Sequence, residues 1–339
     1  MDKYCVVERD FKENHAGSKA REDVAEIAAL QGWKPLIVHH SERKGTLDKI
    51  RMSFLTIADW YRISRKVSDS SELLIQYPLA MYPKVSTLAI PFLRRMKKRQ
   101  VKLVFLIHDL DSLRGINQEV EKNFLQEADV MIAHNQKMIH YLKEEKYPCT
   151  DIRSLNIFDY LTKQPVERRQ REKKTVAIAG NLNLEKAGFV YRLGELETGI
   201  RFHLYGPNYK GENRSENICY EGQFPADQLP KMLQGGFGLV WDGSSLDSCE
   251  GVYGTYLKYN NPHKTSLYLA SGIPVIIWKG AAMAEFIVKE NVGIAVDSLR
   301  ELPDVIGKMT DGEYCEMQMC AERLGEKLRA GQMLIRQLD

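Results

Sequence analysis

The sequence predicts an α/β protein made of two consecutive halves, each a parallel, doubly wound sheet. Short apolar runs alternate with segments of helical periodicity along most of the chain, which is the pattern of strand–helix–strand units. A length of 339 residues exceeds one typical core and fits two domains of ordinary size. Periodicity fades and charge accumulates between residues 147 and 174, as at a domain crossing. We therefore expect domains at 1–160 and 161–339, with the last helix able to pack back on the first.

The first half contains five predicted strands, of which the fourth is the most apolar. Residues 101–107 form a continuous apolar run between polar residues, the pattern of a strand buried on both faces. The predicted elements are strand 4–7, helix 19–31, strand 34–39, helix 47–66, strand 73–76, helix 83–100, strand 101–107, helix 119–126, strand 130–133 and helix 136–145.

The second half repeats this alternation. Residues 251–262 are expected to form a polar loop that turns into a helix at His263, and Ser271-Gly272 is expected to end that helix. The predicted elements are strand 175–179, helix 186–196, strands 202–205 and 218–221, helix 226–233, strand 237–241, helix 263–270, strand 274–278, helix 281–289 and strand 293–296.

Composition excludes several classes of protein. A net charge of +3 is too small to indicate the strong positive field that is typical of nucleic-acid-binding proteins. The basic clusters at 94–99 and 168–174 are expected to be solvated faces, with contact to an anionic membrane surface as the alternative. Six cysteines without a CxxC pair indicate neither a zinc site nor a disulfide framework. Without a signal-peptide pattern or a bilayer-spanning apolar run, we expect a cytoplasmic protein, if anything peripheral to the cytoplasmic membrane.

The start of the helix at His263 is the main candidate for a ligand site. Its first turn carries His263, Lys264, Thr265 and Ser266, and the unpaired N–H groups of a first turn attract anions. A plain helix cap is the alternative. The preceding residues suit a base, a sugar and a diphosphate, because they are aromatic, amide and cationic: Tyr253, Tyr256, Lys258, Tyr259, Asn260 and Asn261.

A second candidate site follows the buried strand 101–107. His108, Asp109 and Asp111 stand where an open α/β sheet has its ligand crevice. A carboxylate there could act as a general base toward a hydroxyl, and the imidazole could orient a sugar or share that role. An ordinary solvated loop at the end of a strand is the alternative.

With these residues identified, the chain resembles bacterial nucleotide-sugar glycosyltransferases of the GT-B architecture, in which two Rossmann-type domains face a central cleft. More narrowly it resembles the galactofuranosyltransferases of lipopolysaccharide O-antigen synthesis, and more distantly the glucosyltransferases of streptococcal serine-rich adhesins. The resemblance rests on FLIHDLDSLRG (105–115), AGNLN (179–183), LYGPNY (204–209), GGFGLVWDG (235–243) and YLKYNNPHKTSLYLASGIPVIIW (256–278).

The resemblance implies that the second domain holds UDP, that the first holds the acceptor, and that no bound metal or other cofactor is needed. Lys264 and the backbone of Thr265 and Ser266 would stabilise the departing diphosphate. Two glutamates eight positions apart, common in GT-B enzymes, are replaced here by Tyr259 and Leu267, so ribose recognition is not assigned. The candidate donor-site residues are Gly180, Asn181, Tyr205, Gly206, Lys258, Asn261, His263, Lys264, Thr265 and Ser266.

The resulting functional hypothesis is inverting transfer of galactofuranose from UDP-galactofuranose to a hydroxyl of a saccharide or lipid-linked oligosaccharide. Asp109 is the first choice as base, followed by Asp111 or His108. One alternative is glucosyl transfer from UDP-glucose to a glycoprotein or glycan. Another is a non-catalytic partner subunit that binds UDP without turnover. A dehydrogenase is disfavoured because no G-x-G-x-x-G opens either half. No nucleic-acid partner is expected, and a homo-oligomer is left open.

Overall fold

The computed structural model describes residues 1–9, 16–41, 45–79, 82–163, 166, 169–196, 199–211 and 216–339. These residues form two compact units. The first unit contains the described residues up to Leu155, except 16–20, together with Leu334–Asp339. The second contains residues 16–20 and the described part of Asn156–Met333. The domain limits predicted at 1–160 and 161–339 stay a prediction.

The first unit has a six-stranded parallel sheet in the order β2-β1-β3-β4-β5-β6. β2 lies on one side of β1 and β3 on the other, so the topological switch point is between β1 and β3. The elements are β1 Lys3–Arg9, α1 Ala16–Leu30, β2 Lys34–His39, α2 Thr46–Lys66, β3 Glu72–Tyr77, α3 Pro83–Ser86, a 3-10 turn Thr87–Ala89, α4 Ile90–Lys97, β4 Lys102–Ile107, a 3-10 turn Ser112–Arg114, α5 Gln118–Leu125, β5 Val130–Ala133, α6 Gln136–Glu144 and β6 Asp151–Ser154.

The second unit has a six-stranded parallel sheet in the order β12-β11-β10-β7-β8-β9. From β7 the chain adds β8 and β9 on one side and then returns to place β10 on the other. The elements are β7 Thr175–Ala179, α7 Leu184–Ala187, a 3-10 helix Gly188–Glu195, β8 Arg201–Tyr205, β9 Ile218–Gly222, α8 Leu229–Met232, β10 Phe237–Val240, α9 Gly251–Tyr256, α10 His263–Ala270, β11 Val275–Trp278, α11 Ala284–Lys289, β12 Gly293–Val296, a 3-10 turn Leu299–Glu301, α12 Leu302–Lys308 and α13 Asp311–Arg329. The last helix, α14 Gln332–Leu338, belongs to the first unit from Leu334 onward.

Several segments differ from the sequence prediction, among them the predicted helix 186–196, which is α-helical only at Leu184–Ala187 and continues as a 3-10 helix over Gly188–Glu195. The predicted loop 251–262 is wrong at its start, because Gly251–Tyr256 is helical. Gly254 suits this helix sterically: an added Cβ would lie 2.6 Å from the carbonyl carbon of Cys249 and 2.9 Å from Asp242 O. β6 lies inside the segment predicted to be a crossing. The predicted helix 83–100 is divided, and Pro91, which lacks an N–H, stands in the first turn of α4.

The C-terminal residues contact the first strand and β6 of the first unit. Lys3 Nζ donates to Leu338 O at 3.2 Å, and Arg153 Nη1 donates to Gln337 O at 2.7 Å. Within the described ranges, none of the helices combines the length and apolar character that a transmembrane span requires.

Candidate functional site

The switch point of the second sheet lies between β7 and β10, which are adjacent. Open α/β sheets bind ligands outside the carboxyl ends of the strands at this position. The helix α10 is fixed there by Tyr268, whose hydroxyl accepts a hydrogen bond from Ala179 N at 2.7 Å. Gly238 of β10 makes room for the Tyr268 ring, since a Cβ at that position would lie 2.1 Å from the ring. α10 is thereby held against the two central strands.

Lys264 lies in the first turn of α10 and points to the end of β10. Its Nζ donates to Asp242 Oδ1 at 2.7 Å and to Trp241 O at 2.9 Å. The exposed fractions of the two charged side chains are 16% for Lys264 and 9% for Asp242. The predicted cation is therefore present at the start of the helix, and a carboxylate balances its charge.

Sequence reasoning missed Asp242. The signal for it was present, because Asp242 comes directly after the buried run 237–241, as Asp109 comes after the run 101–107. What the sequence does not show is that the end of β10 meets the first turn of α10.

Thr265 and Ser266 are almost completely buried. The backbone N–H of Thr265 donates to Pro262 O at 2.9 Å, which corrects the expectation that this N–H is available to a phosphate. Thr265 Oγ1 is buried and has no hydrogen-bond partner among the described residues, and the same holds for Asn260 Oδ1. Buried polar atoms in native proteins are nearly always paired, so these two oxygens mark positions for a bound water or ligand group.

Asn261 and His263 contact the segment that opens the second unit. Asn261 Nδ2 donates to Asn156 O at 2.9 Å. The ring of His263 lies 5.5 Å from that of Phe158 and 5.6 Å from that of Tyr160, centroid to centroid. Both side chains hold this segment against α10, and their contact with a donor stays a prediction.

Lys258 is exposed and lies over the Trp278 ring, with Nζ 5.8 Å from the ring centroid. Trp278 ends β11, the strand next to β10. The cation–aromatic pair therefore stands at the same edge of the sheet as Asp242.

The ends of β7 and β8 are in close backbone contact. Gly206 has φ +137°, and a Cβ there would lie 1.9 Å from Gly180 O. Asn181 Oδ1 accepts from Asn183 N at 3.2 Å and from Asn208 Nδ2 at 2.9 Å, which orders the loop after β7. Gly180, Asn181 and Gly206 thus lie together at the ends of β7 and β8, and their contact with a donor stays a prediction.

Tyr205 is buried at the end of β8, and burial raises its pKa to about 12. Its hydroxyl donates to Met232 O at 3.3 Å and accepts from Gln234 N at 2.8 Å. These contacts give Tyr205 a structural role, and a donor contact for it stays a prediction.

In the first unit, the loop after β4 carries the three candidate bases. Asp109 forms an ion pair with Arg114. Asp111 Oδ2 accepts from Asn117 Nδ2 at 2.9 Å. His108 is held on its backbone by Tyr77 O at 2.7 Å, and its Nε2 lies 2.7 Å from Gln76 Oε1.

Glu121 of α5 anchors the loop after β4 by buried hydrogen bonds. It is fully buried and accepts hydrogen bonds from Ser112 N and Tyr147 OH, both at 3.1 Å. Burial raises the pKa of the Glu121 carboxyl above the usual glutamate range. The loop that presents Asp109 is therefore anchored by the buried hydrogen bonds of Glu121.

A buried polar network links the base loop to the switch point of the first sheet. Arg21 Nη1 lies 3.1 Å from Glu8 Oε2, and both side chains are nearly closed to solvent. Gln76 Nε2 donates to Arg21 O at 3.2 Å, and Gln76 Oε1 faces His108. Sequence reasoning missed Glu8, Arg21 and Gln76; the available signal was a glutamate directly after the apolar run 4–7.

Several residues of the two basic clusters make internal contacts. In the first, Arg94 pairs with Glu127, Lys97 with Asp129 and Arg99 with Asp69. In the second, Arg171 donates to Leu233 O, Gly235 O and Ser271 O, and Lys173 pairs with Asp311; Arg168 lies outside the described residues. These ion pairs favour the structural interpretation, and contact with a membrane stays a prediction.

Comparison with known proteins gives a consistent assignment. Family models match both parts of the chain: "Glucosyltransferase 3-like, N-terminal domain" over residues 3–157 and "Glucosyltransferase 3-like, C-terminal domain" over residues 176–339. The beta-1,6-galactofuranosyltransferase WbbI of Escherichia coli (strain K12) is 34% identical over 346 residues, covering 97% of this chain and 94% of the relative.

Two solved structures share the fold. Sucrose-phosphate synthase (tll1590) from Thermosynechococcus elongatus aligns with a TM-score of 0.63 and 12% identity, covering 99% of both chains. An alpha-glucosyltransferase (AGT) in complex with UDP aligns with a TM-score of 0.61 and 13% identity, covering 98% of this chain and 96% of that one. The predicted GT-B fold class, with two Rossmann-type parallel sheets, is confirmed. From the family models and this relative, the chain belongs to the glucosyltransferase 3-like family of glycosyltransferases.

Proposed function

We propose that the chain transfers galactofuranose from UDP-galactofuranose to a saccharide hydroxyl in cell-surface polysaccharide synthesis, by an inverting displacement that needs no metal. The choice of sugar is supported by the E. coli galactofuranosyltransferase, which matches nearly the whole chain at 34% identity. The choice of UDP is supported by a structural neighbour that holds UDP on the same fold.

The observation that carries the proposal is the start of α10 at the β7–β10 switch point. An inverting displacement leaves a diphosphate whose negative charge must be stabilised as the sugar–oxygen bond breaks. Lys264 supplies a positive charge, and the first turn of α10 supplies a favourable helix dipole. In the free protein Lys264 Nζ donates hydrogen bonds to Asp242 and Trp241 O, so a bound diphosphate would share the Lys264 ammonium group with Asp242.

The acceptor hydroxyl must lose a proton as it attacks the anomeric carbon. We assign this proton to Asp109, which stands on a loop anchored by Glu121. Arg114 engages one oxygen of Asp109 and would hold the carboxylate in a fixed orientation. Asp111 and His108 are the next candidates for the base.

Glucosyl transfer from UDP-glucose is the second candidate, favoured by the family description "Glucosyltransferase 3-like". A third candidate is a non-catalytic subunit that binds UDP-sugars without turnover.

A donor screen scored by UDP release separates these functions. The chain is incubated with UDP-galactofuranose, UDP-galactopyranose or UDP-glucose, with and without saccharide acceptors. We expect UDP release only with the galactofuranosyl donor, stimulated by acceptor. Release from UDP-glucose alone would assign the glucosyl function, and UDP binding without release from any donor would assign the non-catalytic one.

A further inference from the structure

Three metal-ligating side chains that the proposed reaction does not use lie together in the second unit. His203 is on β8, and Cys219 and Glu221 are on β9. One ligand atom from each, an imidazole nitrogen, the thiol sulfur and a carboxylate oxygen, all lie within 4.8 Å of one another. His203 Nδ1 is 2.8 Å from Glu221 Oε1.

The sheet brings these side chains together. β8 and β9 are parallel neighbours, and His203 is the direct register partner of Cys219. Glu221 follows two positions later, at an irregularity in the register between Leu204 and Tyr205, and its carboxylate reaches the His203 ring directly. Tyr220, between them, points to the other face, where its hydroxyl donates to Gly206 O at 2.9 Å.

The burial of the three residues suits a site that an ion can enter. The imidazole of His203 is buried, which fixes its position, whereas Cys219 and Glu221 are partly exposed. β9 is the edge strand of the sheet, so solvent can reach its side chains. A bound ion would therefore need no opening of the core.

The ligand types select the ion. Imidazole, thiolate and carboxylate are all ligands of zinc, while a sulfur ligand disfavours Mg²⁺ and Ca²⁺. For zinc bonds of about 2.0–2.3 Å, tetrahedral ligand atoms are separated by about 3.3–3.6 Å. The observed separations, from 2.8 Å to at most 4.8 Å, need only small side-chain movements to reach that geometry.

We infer that His203, Cys219 and Glu221 form a site for a divalent transition-metal ion of the zinc type, which links the edge strand β9 to β8. Three protein ligands leave a fourth position for water. On binding, the Cys219 thiol releases its proton to solvent and the thiolate forms the metal–sulfur bond. Because such an ion binds the folded sheet and not the unfolded chain, it raises the stability of the second unit.

Co²⁺ titration of the metal-stripped full chain tests this inference. We expect one equivalent of Co²⁺ to produce a thiolate-to-cobalt charge-transfer band and the intense visible bands of four-coordinate cobalt, and Zn²⁺ to abolish both. Cys219→Ser should lose the charge-transfer band, whereas Cys315→Ser should keep it, since Cys315 is exposed on α13. Glu221→Gln keeps a hydrogen-bond acceptor for His203 but removes the negative charge, and should lower the affinity for Zn²⁺ by about tenfold or more.

Thermal melting gives a second measurement on the same preparations. Zn²⁺ should raise the melting temperature of the wild type and of Cys315→Ser, in a concentration-dependent manner, and leave that of Cys219→Ser unchanged. Matching melting curves of the metal-free proteins establish that each variant is folded. A hydrogen bond between His203 and Glu221 gives no charge-transfer band. The inference would be overturned if the wild type with Co²⁺ lacked the charge-transfer band, or if Cys219→Ser kept it. Neither readout depends on glycosyl transfer.

Discussion

Lys264 is paired with Asp242 in a contact that is largely closed to solvent. Removing one partner of such a pair leaves a buried charge uncompensated and costs about 3–5 kcal/mol in buried cases. A simple truncation of Lys264 would therefore mix a loss of stability with a loss of ligand binding. Replacing both partners by their neutral polar counterparts keeps the contact without either charge.

We predict that Lys264→Gln lowers the affinity for UDP by about tenfold or more, because a charge-assisted phosphate contact contributes about 1.5–3 kcal/mol. The double variant Lys264→Gln, Asp242→Asn should recover most of the melting temperature that Lys264→Gln loses, while its affinity for UDP stays low. Calorimetric titration and thermal melting measure the two effects separately. Wild-type UDP affinity in the double variant would remove Lys264 from the donor site.

Asp109 is partly exposed and paired with Arg114. Asp109→Asn keeps its shape and removes its basicity, so we predict a kcat lower by about a hundredfold or more. The pair is exposed enough that its loss should cost only about 1 kcal/mol of stability. Single-turnover rate and thermal melting, measured on one preparation, check both statements.

Asp111→Asn is the matched control, since Asp111 is on the same loop and accepts from Asn117. We expect its transfer rate to stay close to the wild type. A folded Asp109→Asn enzyme with a near-normal rate, together with a slow Asp111→Asn enzyme, would move the base to Asp111.

At the scale of elements, the sequence predicted the buried strands well because a continuous apolar run between turns has few other interpretations. β4 illustrates this, with five of its six residues buried. It failed at α9, where glycine and tyrosine suggest a loop. The backbone of Asp242 and Cys249 leaves no room for a side chain at Gly254, and the approach of Asp242 is not visible in the local sequence pattern.

The approach of β8 to β7 gives a prediction for Gly206→Ala. The added Cβ would meet Gly180 O at 1.9 Å, and φ +137° is strained for any residue with a side chain. We expect a loss of about 2–5 kcal/mol of unfolding free energy from overpacking and backbone strain together. Gly307→Ala in α12 is the control: nothing lies within 4 Å of its Cβ position, so stability should stay equal or rise by up to about 1 kcal/mol. Equal denaturation midpoints for the two variants would contradict the close approach.

His134, which follows β5, gives the first unit a pH dependence. Burial lowers its pKa to about 4, and its Nε2 lies 3.0 Å from Ile107 O. The unfolded chain takes up this proton near pH 6.5, but the folded protein only near pH 4, so stability is lost as the pH falls through this window. The total is up to about 3 kcal/mol at the 1.36 kcal/mol that each pKa unit represents.

His134→Gln keeps a donor toward Ile107 O and does not titrate. Its unfolding free energy should therefore fall less than that of the wild type between pH 7 and pH 5. Glu121 acts in the opposite direction, because a raised carboxyl pKa favours folding as the pH falls, but it is common to both proteins. Parallel curves for the two proteins would show that His134 carries no such linkage.

At the scale of the whole molecule, both units start from a strand with neighbours on either side, and their switch points are β1–β3 and β7–β10. The sequence predicts two parallel sheets, but not which strand ends become neighbours. Lys264 with Asp242, Gly180 with Gly206 and His203 with Cys219 are each brought together by strand order and register. Lys264 could therefore be identified as a candidate from the sequence, whereas its partner Asp242 and the pairing of His203 with Cys219 could not.

Glycosyl transfer by this chain is expected to need no bound metal ion. The second half has no Asp-x-Asp sequence, and the departing diphosphate has Lys264 and the first turn of α10 to stabilise it. The Asp-x-Asp of the first unit is engaged by Arg114 and Asn117, and a guanidinium beside Asp109 disfavours a divalent cation. We therefore expect the transfer rate to stay within about a factor of two after EDTA treatment and gel filtration, well below the effect of losing a catalytic metal. If activity is lost and Mn²⁺ or Mg²⁺ restores it, Asp109 and Asp111 are metal ligands. If only Zn²⁺ restores activity, and does not do so in Cys219→Ser, the ion between β8 and β9 is required for an active second unit.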